Sequence, residues 1–307
     1  MQLEGRRVLV TGASSGIGRD LTTVLAARGA RVAVVARRED RLNALAAKIE
    51  GSGGHRPVII VGDLADPGTA GRVGADALQQ LGGLDLLINN AGGGVGGTQA
   101  AVGDRVEARA AFEVNFWSPV ALTATVLPEL RQRDEAYVVN VTSLAQVMTW
   151  PMMGHYAASK AALAQATETL RLECAPTTVR VLEVILGPID TAVQAETRLV
   201  PGISRALASS PLGTPQRTAA RIVRAIERDQ SRLVYPAPLR AAYVLPTITR
   251  RYISRLVTKG RDVDPDDGRV VATGSSGSPE AREARARWEQ EHADDTLNAP
   301  AASSWLR

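Results

Sequence analysis

The feature that most constrains the fold is a regular alternation, over the first two-thirds of the chain, of short apolar runs with longer stretches of helical periodicity. The runs that predict strands are residues 7–10, 31–36, 57–61, 84–88, 136–141, 179–185 and 233–235. Strands that are apolar on both faces and joined by helices form parallel sheets with right-handed crossovers. The alternation therefore predicts an α/β protein with a doubly wound parallel sheet, in which ligands bind beyond the carboxyl ends of the strands.

The composition changes near the C-terminus, and we expect a single domain at 1–236 followed by two further parts. Residues 237–260 mix apolar side chains with arginine and lysine, so they predict a basic amphipathic extension that Pro246 interrupts. We favour packing of this extension on the sheet or on a second subunit; the alternative is a membrane surface. Residues 261–307 are polar and are expected to be a largely disordered tail, apart from a short helix around 279–292.

Composition and charge exclude several classes of protein. The chain is 45% hydrophobic and 22% charged, without an apolar run that could span a bilayer or an N-terminal signal peptide, so we expect a cytoplasmic globular protein. One cysteine and three scattered histidines predict neither a disulfide framework nor a metal site. A net charge of +4 with only 4% aromatic residues does not indicate nucleic-acid binding, which leaves a small-molecule partner.

The segment after the first strand is rich in glycine and begins a helix. It reads TGASSGIG at 11–18, and glycine permits a tight turn and close approach of the backbone to a pyrophosphate. The following helix directs free N–H groups at such a ligand. The predicted phosphate-binding residues are Gly12, Ser14, Ser15, Gly16, Ile17 and Gly18. This turn predicts a Rossmann-type dinucleotide-binding domain, the alternative being a plain tight turn.

The end of the second strand bears on the choice of cofactor. Ala36 stands where an acidic residue would accept the ribose 2′-hydroxyl of NAD, and Arg37 and Arg38 follow it. An arginine can pair with the 2′-phosphate of NADP instead. We therefore expect NADP(H) in preference to NAD(H), with Arg37 favoured over Arg38. The alternative is that both are surface arginines at the start of a helix.

Polar and small residues also follow the third and fourth strands. Asp63, with Leu64 beside it, is placed to meet the adenine, or is simply a turn residue. The sequence NNAG at 89–92 supplies amides that can tie down loops and small residues that can line a cofactor. We expect Asn90, Ala91 and Gly92 to contact the cofactor, although a bare turn explains the last two equally well.

Three further residues suit acid–base chemistry. Tyr156 and Lys160 are four positions apart in a helical run, which puts both on one face, and Ser143 follows the fifth strand. A free tyrosine has a pKa of about 10, and a neighbouring ammonium lowers it. We therefore expect Lys160 to lower the pKa of Tyr156, which would act as general acid and base on a carbonyl or hydroxyl that Ser143 holds.

Together these motifs resemble the short-chain dehydrogenase/reductase family. The matching sequences are TGASSGIG, NNAG, FEVNF around Asn115, VTS ending at Ser143 and YAASK from Tyr156 to Lys160. The resemblance implies that NADPH gives hydride to a carbonyl carbon while Tyr156 protonates the oxygen. It implies that Lys160 holds the nicotinamide ribose and that Asn115 keeps a water in a proton relay. It also implies that the cofactor contacts Tyr156, Lys160, Gly187, Ile189 and Thr191.

The resemblance leaves the substrate and the assembly as expectations. It implies homodimers or homotetramers built from the helices that carry Asn115 and Tyr156. Members of the family commonly have Pro-Gly after the sixth strand, whereas this chain has Leu186-Gly187-Pro188, so the shape of that loop is in question. Apolar residues at 150–153 and a lid at 192–211 suit a largely apolar ketone or alcohol. The alternatives are a non-catalytic NADP(H)-binding regulator and a peripheral membrane reductase with a lipid-like substrate.

Overall fold

A parallel sheet of seven strands organises the fold, with strand order β3-β2-β1-β4-β6-β7-β8. The computed structural model describes residues 1–200, 210–260, 264, 266–274 and 279–292. The strands of this sheet are β1 Arg7–Thr11, β2 Arg31–Ala36, β3 Val58–Val61, β4 Leu86–Asn89, β6 Ala136–Ser143, β7 Val179–Leu186 and β8 Arg232–Tyr235. The order reverses between β1 and β4, so a crevice opens beyond the carboxyl ends of these two strands.

The strands form because alternate apolar side chains are buried on opposite faces of the sheet. In β1, Val8 and Val10 enter the core on one face, and Leu9 enters the core on the other. All three are fully buried. Burial on both faces favours β-branched and aliphatic residues throughout the strand, and this composition is what made the strands visible in the sequence.

Helices cover both faces of the sheet. They are α1 Gly16–Ala27, α2 Glu39–Gly51, α3 Thr69–Leu81, α4 Gln99–Val102, α5 Val106–Phe112, α6 Ser118–Leu130, α7 Gly154–Cys174, α8 Ala192–Thr197 and α9 Pro215–Glu227. Helices α1 and α9 pack together, as do α3 and α6, and α7 packs against β6 and β7. The predicted α/β class and Rossmann-type doubly wound sheet are therefore confirmed.

The C-terminal region adds a second, small sheet and one more helix. Strand β9 Val271–Thr273 pairs antiparallel with β5 Gly94–Gly96, and α12 Pro279–Glu291 follows. Within the polar tail expected at 261–307, α12 coincides with the short helix expected around 279–292, whereas strand β9 was not foreseen in the sequence. A three-residue strand needs only backbone partners, and α12 docks through ion pairs, so neither requires the aliphatic residues whose scarcity suggested disorder. The rest of the tail lies largely outside the described residues.

The basic extension at 237–260 consists of a short 3₁₀ turn at Ala237–Leu239 and two helices, α10 Arg240–Val244 and α11 Pro246–Gly260. The helical conformation is interrupted at Leu245, directly before Pro246, as the proline predicts. The extension is attached beside the predicted catalytic region, since Arg250 Nε donates a 2.8 Å hydrogen bond to the Val147 carbonyl. Across the part of the chain that the structure describes, every helix is too short or too polar to cross a membrane.

Candidate active site

One groove runs along the carboxyl edge of the parallel sheet and gathers most of the residues singled out in the sequence. Its lining includes Gly12, Ser14, Ser15, Gly16, Ile17, Gly18, Arg37, Asp63, Leu64, Asn90, Ala91, Gly92, Ser143, Tyr156, Lys160, Gly187, Ile189 and Thr191. These residues come from loops after several different strands, which meet because parallel strands end at the same edge. Asn115 lies behind the groove and is fully buried.

The turn from β1 into α1 depends on its glycines for conformation and for space. Gly12 and Gly16 adopt positive φ values of 71° and 54°. A Cβ on Gly18 would lie 2.3 Å from the Gly12 carbonyl oxygen, so only glycine fits there. The amides of Gly12 and Ala13 donate to the Val35 carbonyl, and Gly16, the first residue of α1, lines the groove. This arrangement fits the pyrophosphate of a dinucleotide.

The two arginines after β2 have different contacts. The Arg38 guanidinium donates hydrogen bonds of 3.0 Å to Ser14 Oγ and 2.9 Å to Ser15 Oγ, so it lies directly on the glycine-rich loop. Arg37 forms an ion pair of 3.5 Å with Asp63 and donates to the Gly274 carbonyl. The sequence favoured Arg37 for the 2′-phosphate, whereas Arg38 contacts the glycine-rich loop at 11–18, which we call the phosphate loop. The reason is that Arg38 turns back across the loop as α2 begins.

The loops after β3 and β4 are held by local hydrogen bonds. Asp63 Oδ1 accepts a 3.0 Å bond from the amide of Ala65, which is the turn interaction that the sequence left open. Asn90 Nδ2 donates to the Thr11 carbonyl at 2.9 Å, and the Ala91 amide donates to Thr11 Oγ1 at 3.0 Å. Thr11 is the last residue of β1, so these bonds join the NNAG loop to the phosphate loop.

A buried chain of amides behind the groove was missed in the sequence. Asn89 Nδ2 donates to Asn140 Oδ1 at 2.8 Å, and Asn140 Nδ2 donates to Thr167 Oγ1 at 2.9 Å. The chain links β4, β6 and α7, which carries Tyr156 and Lys160. Its sequence signal was an asparagine within each of two otherwise apolar strands, because buried polar groups need partners.

Ser143, Tyr156 and Lys160 come together at the junction of β6 and α7. Ser143 ends β6, its side chain is hydrogen-bonded to Tyr156, and its Oγ accepts a 3.2 Å bond from the amide of Ala145. The Lys160 ammonium is buried and donates a 3.0 Å bond to the carbonyl of Val141 in the same strand. Residues from one strand end and one helix face thus bring two hydroxyls and an ammonium to the same groove.

Burial dominates the electrostatics of this group. It raises the pKa of Tyr156, which the hydrogen bond with Ser143 only partly opposes. It also lowers the pKa of Lys160 to about 8. The sequence led us to expect a lowered tyrosine pKa, whereas in the folded chain burial raises it. The cause is the loss of solvation of the phenolate, because burial disfavours a charged group.

Asn115 lies in a short π-helical segment, Glu113–Trp117, between α5 and α6. Its Nδ2 donates to the Gly93 carbonyl at 2.7 Å and to Ser159 Oγ at 3.0 Å, while its Oδ1 accepts from the Gly93 amide. A Cβ on Gly92 would lie 3.1 Å from Asn115 Oδ1 and 3.4 Å from Lys160 Nζ. Asn115 and Lys160 therefore approach the same glycine, although the sequence held no signal for the π-helix.

The loop after β7 is shaped by its contact with the C-terminal extension. A Cβ on Gly187 would lie 2.3 Å from Leu239 Cδ1, so a larger residue after Leu186 would have to displace the Leu239 side chain. Ile189 is buried in the core. Thr191 Oγ1 caps α8 by accepting from the Gln194 amide at 3.2 Å. Thr191 of this loop lies against the phosphate loop, since a Cβ on Gly16 would be 3.3 Å from Thr191 Cγ2.

The C-terminal segment forms a wall of the groove that the sequence did not predict. Thr273 Oγ1 accepts a 3.0 Å bond from the Gly94 amide, and the Gly274 amide donates to Glu196 at 2.7 Å. In α12, Arg285 pairs with Glu196, and Trp288 Nε1 donates to Asp190 Oδ1 at 3.1 Å. A tryptophan in an otherwise polar tail was the available signal, because tryptophan is costly to leave in water.

The fold and the groove together define a Rossmann-type α/β protein whose polar residues gather at one sheet edge. The family model described as short chain dehydrogenase matches residues 6–200. The chain is 33% identical over 251 residues to the dehydrogenase/reductase SDR family protein 7-like of Anopheles gambiae, with 79% of each chain covered. It is 36% identical over 187 residues to the mouse dehydrogenase/reductase SDR family member 7B, spanning 60% of this chain and 58% of that relative.

A solved structure agrees with the sequence comparisons. The short-chain dehydrogenase/reductase from Burkholderia phymatum in complex with NAD superposes with a TM-score of 0.71 at 23% identity, covering 86% of this chain and 99% of that one. At that identity the likeness concerns the fold alone. The chain therefore belongs to the short-chain dehydrogenase family, a family of oxidoreductases, and the resemblance noted in the sequence is confirmed.

Proposed function

We propose that the protein is an NADP(H)-dependent oxidoreductase that interconverts a ketone or aldehyde and an alcohol. The observation that carries the proposal is the hydrogen-bonded pair of Ser143 and Tyr156, with buried Lys160 one helical turn further along, in the groove that begins at the phosphate loop. The group combines a proton donor, a hydrogen-bonding hydroxyl and a cation at the carboxyl edge of the sheet. Such a set suits proton transfer to a carbonyl oxygen.

Each residue has a distinct proposed task. Ser143 orients the substrate oxygen, and Tyr156 protonates it during reduction or removes its proton during oxidation. Lys160 stabilises the phenolate that remains after the proton has left, because a nearby cation favours the charged form. Asn115 acts on the same loop through Gly93 and holds a water toward Lys160. When bound, the reduced nicotinamide supplies the hydride that the carbonyl carbon receives.

The cofactor would lie along the groove, with its pyrophosphate on the phosphate loop and its nicotinamide near Thr191. The Burkholderia protein binds NAD, whereas the preference for NADP(H) in this chain rests on arginine. Arg38 lies on Ser14 and Ser15, where it can form charge-assisted bonds with a 2′-phosphate, and Arg37 is adjacent. The remaining cofactor contacts are those proposed from the sequence: Gly12, Gly16, Ile17, Gly18, Asp63, Leu64, Asn90, Ala91, Gly92, Gly187 and Ile189.

The substrate is proposed to be largely apolar. The part of the groove beyond Tyr156 is lined by Leu144, Met148, Trp150, Met153 and Leu239. These side chains offer dispersion contacts and few hydrogen bonds, so they favour a hydrocarbon-rich ketone or alcohol.

We further propose that the chain assembles as a homodimer or homotetramer through the helices that carry Asn115 and Tyr156. Trp117 beside α6 is 55% exposed, and Leu172 on α7 is 76% exposed. Large apolar side chains exposed on these elements suit contact with a second copy. Analytical ultracentrifugation tests this, since Trp117→Glu should shift the chain toward the monomer.

The second candidate is a peripheral membrane reductase. This protein would act at a membrane surface instead of the cytoplasmic location expected from the sequence. The observation that favours it is a group of exposed apolar side chains on the C-terminal extension, Val244, Leu245, Ile248 and Tyr252, on a segment without acidic residues. Such a surface suits anionic lipid. Sedimentation with phosphatidylserine vesicles, weakened in Ile248→Glu, would favour this candidate, and no sedimentation would reject it.

The oxidoreductase proposal is tested by NADPH consumption with a panel of ketones and aldehydes. Tyr156→Phe should abolish turnover without weakening NADPH binding. The matched control is Tyr252→Phe at an exposed tyrosine, and this variant should retain turnover. Full activity in Tyr156→Phe would contradict the proposed acid. Tight NADPH binding without turnover on any carbonyl would favour the non-catalytic regulator instead.

A further inference from the structure

Glu289 of α12 lies between two arginines at the edge of the proposed cofactor groove. Arg41 binds it in a bidentate manner, with Nη1 and Nη2 each 2.7 Å from one carboxylate oxygen. Arg38 Nη1 adds a longer contact of 3.4 Å to the same carboxylate. Glu289 is 251 residues from Arg38 in the sequence, so tertiary folding alone creates this site.

Arg38 links the carboxylate of Glu289 to the phosphate loop. Arg38 uses another nitrogen to donate to Ser14 and Ser15, so the carboxylate of Glu289 is one guanidinium away from the phosphate loop. This site lies just past the end of β2, where a Rossmann-type sheet meets the ribose 2′ position. A bidentate carboxylate is held there by the same fork geometry that arginine uses for phosphate.

Neighbouring charges and burial set the ionisation of Arg38 and Glu289. Burial, together with the charges of Arg41, Arg285 and Arg37, lowers the pKa of Arg38 to about 10, and Glu289 opposes this shift. Burial alone would raise the pKa of Glu289, but the hydrogen bond and charge of Arg41, with those of Arg38 and Arg285, lower it. Glu289 is therefore ionised at neutral pH and partly neutralises the charges of Arg38 and Arg41.

We propose that Glu289 occupies the subsite for the 2′-phosphate of the cofactor, and that Arg41 and Arg38 hold this phosphate once Glu289 is displaced. The inference rests on the proposed preference for NADP(H), and it adds Arg41 and Glu289 as residues that determine specificity. A phosphate dianion can replace the carboxylate on both arginines, whereas the 2′-hydroxyl of NAD cannot. NADP(H) therefore releases Glu289, and NAD(H) leaves it paired.

The displacement has a structural consequence for the wall of the groove. The rest of α12 is attached to the loop after β7 and to α8, through Trp288 with Asp190 and Arg285 with Glu196. Once Glu289 is released, α12 loses its contacts with Arg38 and Arg41 and keeps those with Asp190 and Glu196. Binding of a 2′-phosphate thus loosens one end of the wall that covers the site.

The test measures binding of two nucleotides by calorimetry, 2′,5′-ADP and 5′-AMP, which differ only in the 2′-phosphate. Glu289→Gln keeps the size of the side chain and removes its charge. The affinity for 2′,5′-ADP should therefore rise about tenfold, or about 1.4 kcal/mol, and the affinity for 5′-AMP should stay unchanged. Arg41→Ala should weaken the binding of 2′,5′-ADP about tenfold. Glu283→Gln, on the exposed face of the same helix, is the matched control.

The outcomes separate this inference from the proposed function. If wild type and both glutamine variants bind 2′,5′-ADP no better than 5′-AMP, the NADP(H) preference itself is wrong. If wild type prefers 2′,5′-ADP but Glu289→Gln changes that preference less than twofold, the preference stands and the role of Glu289 is overturned.

A second measurement needs no variant. Hydrogen exchange of the amides at 279–292 in the full-length wild type should speed up with 2′,5′-ADP and stay unchanged with 5′-AMP. Equal or slower exchange with 2′,5′-ADP would overturn the displacement.

Discussion

The ammonium of Lys160 donates a 3.0 Å hydrogen bond to the main-chain carbonyl of Val141, two residues before the serine that ends the same strand. The bond connects α7 to the end of β6 and holds a buried cation in the groove that Ser143 and Tyr156 also line. Its cost is the removal of the ammonium from water, which is why the pKa of Lys160 falls to about 8.

Lys160→Met should remove a pH dependence of stability. The pKa of Lys160 is about 8 in the folded chain and 10.5 for a lysine that is not buried, as in the unfolded chain. Between these two pH values the unfolded chain holds a proton that the folded chain has released. The free energy of unfolding of the wild type therefore rises with pH across this window. At pH 7 the variant should be more stable by about 2 kcal/mol, because the desolvation cost exceeds one lost hydrogen bond.

Urea unfolding from pH 7 to 11 checks this expectation, with activity measured in parallel. The variant should lose turnover although it gains stability. Parallel stability profiles for the two proteins would contradict the assignment of the window to Lys160.

The raised pKa of Tyr156 should make the two directions of the reaction differ in pH dependence. A phenol donates its proton during reduction, and burial keeps Tyr156 in that form at neutral pH. Oxidation needs the phenolate, so its rate should still be rising at pH 9, while reduction should be level between pH 6 and 8. Initial rates in both directions check this. An oxidation rate that reaches its plateau below pH 7 would contradict it.

Asn115→Ala should destabilise the loop behind the groove. The substitution removes hydrogen bonds with both backbone groups of Gly93 and with Ser159, in a fully buried position. At about 1 kcal/mol for each bond, the free energy of unfolding should fall by about 3 kcal/mol. Asn43→Ala, on the exposed face of α2, should change it by less than about 0.5 kcal/mol. Similar unfolding midpoints for the two variants would show that the bonds contribute little.

Arg38→Ala should impair NADPH binding more than Arg37→Ala. Arg38 contacts both serines of the phosphate loop, whereas Arg37 is directed to Asp63 and Gly274. Loss of a charge-assisted contact of about 1.5–3 kcal/mol corresponds to about 10- to 100-fold weaker NADPH binding, with NADH little affected. Fluorescence titration of both cofactors measures the effect. A larger loss in Arg37→Ala would restore the choice that the sequence favoured.

Glu196→Gln should release the C-terminal wall. The carboxylate is 1% exposed, accepts a bond from the Gly274 amide and pairs with Arg285. Removing its charge leaves a partly buried arginine without its partner, which is costly. Trypsin should then cleave the 279–292 segment at least about tenfold faster, since local opening limits proteolysis. Unchanged cleavage relative to the Glu291→Gln control would show that α12 docks by other contacts.

The strands and the phosphate loop were predictable because their causes are local. A strand buried on both faces needs a continuous apolar run, and the run at 31–36 coincides with β2. The turn needs positive φ values at Gly12 and Gly16, and glycine is the residue that adopts them most readily, so the glycines indicate the turn. Tyr156 and Lys160 are four residues apart on one helix, so their common face follows from helix geometry.

Contacts between distant segments were not predictable in this way. The pairing of Val271–Thr273 with Gly94–Gly96 and the bidentate contact of Arg41 with Glu289 join residues that are far apart in the chain. No periodicity relates such partners, and the polar composition of the tail argued against order. The pKa of Tyr156 was misjudged for a related reason: burial is a property of the assembled core, not of the spacing between two side chains.

The sequence by itself determined the class of sheet, the loop that begins α1, and the identity of the hydroxyl and ammonium groups after β6, because each depends on neighbours within one or two turns of chain. The tertiary structure decided which arginine lies on the phosphate loop, how far burial shifts the two titrating groups, and that a C-terminal glutamate sits on the arginine pair. These properties depend on which distant surfaces exclude water from one another, and that is settled only when the whole chain has folded.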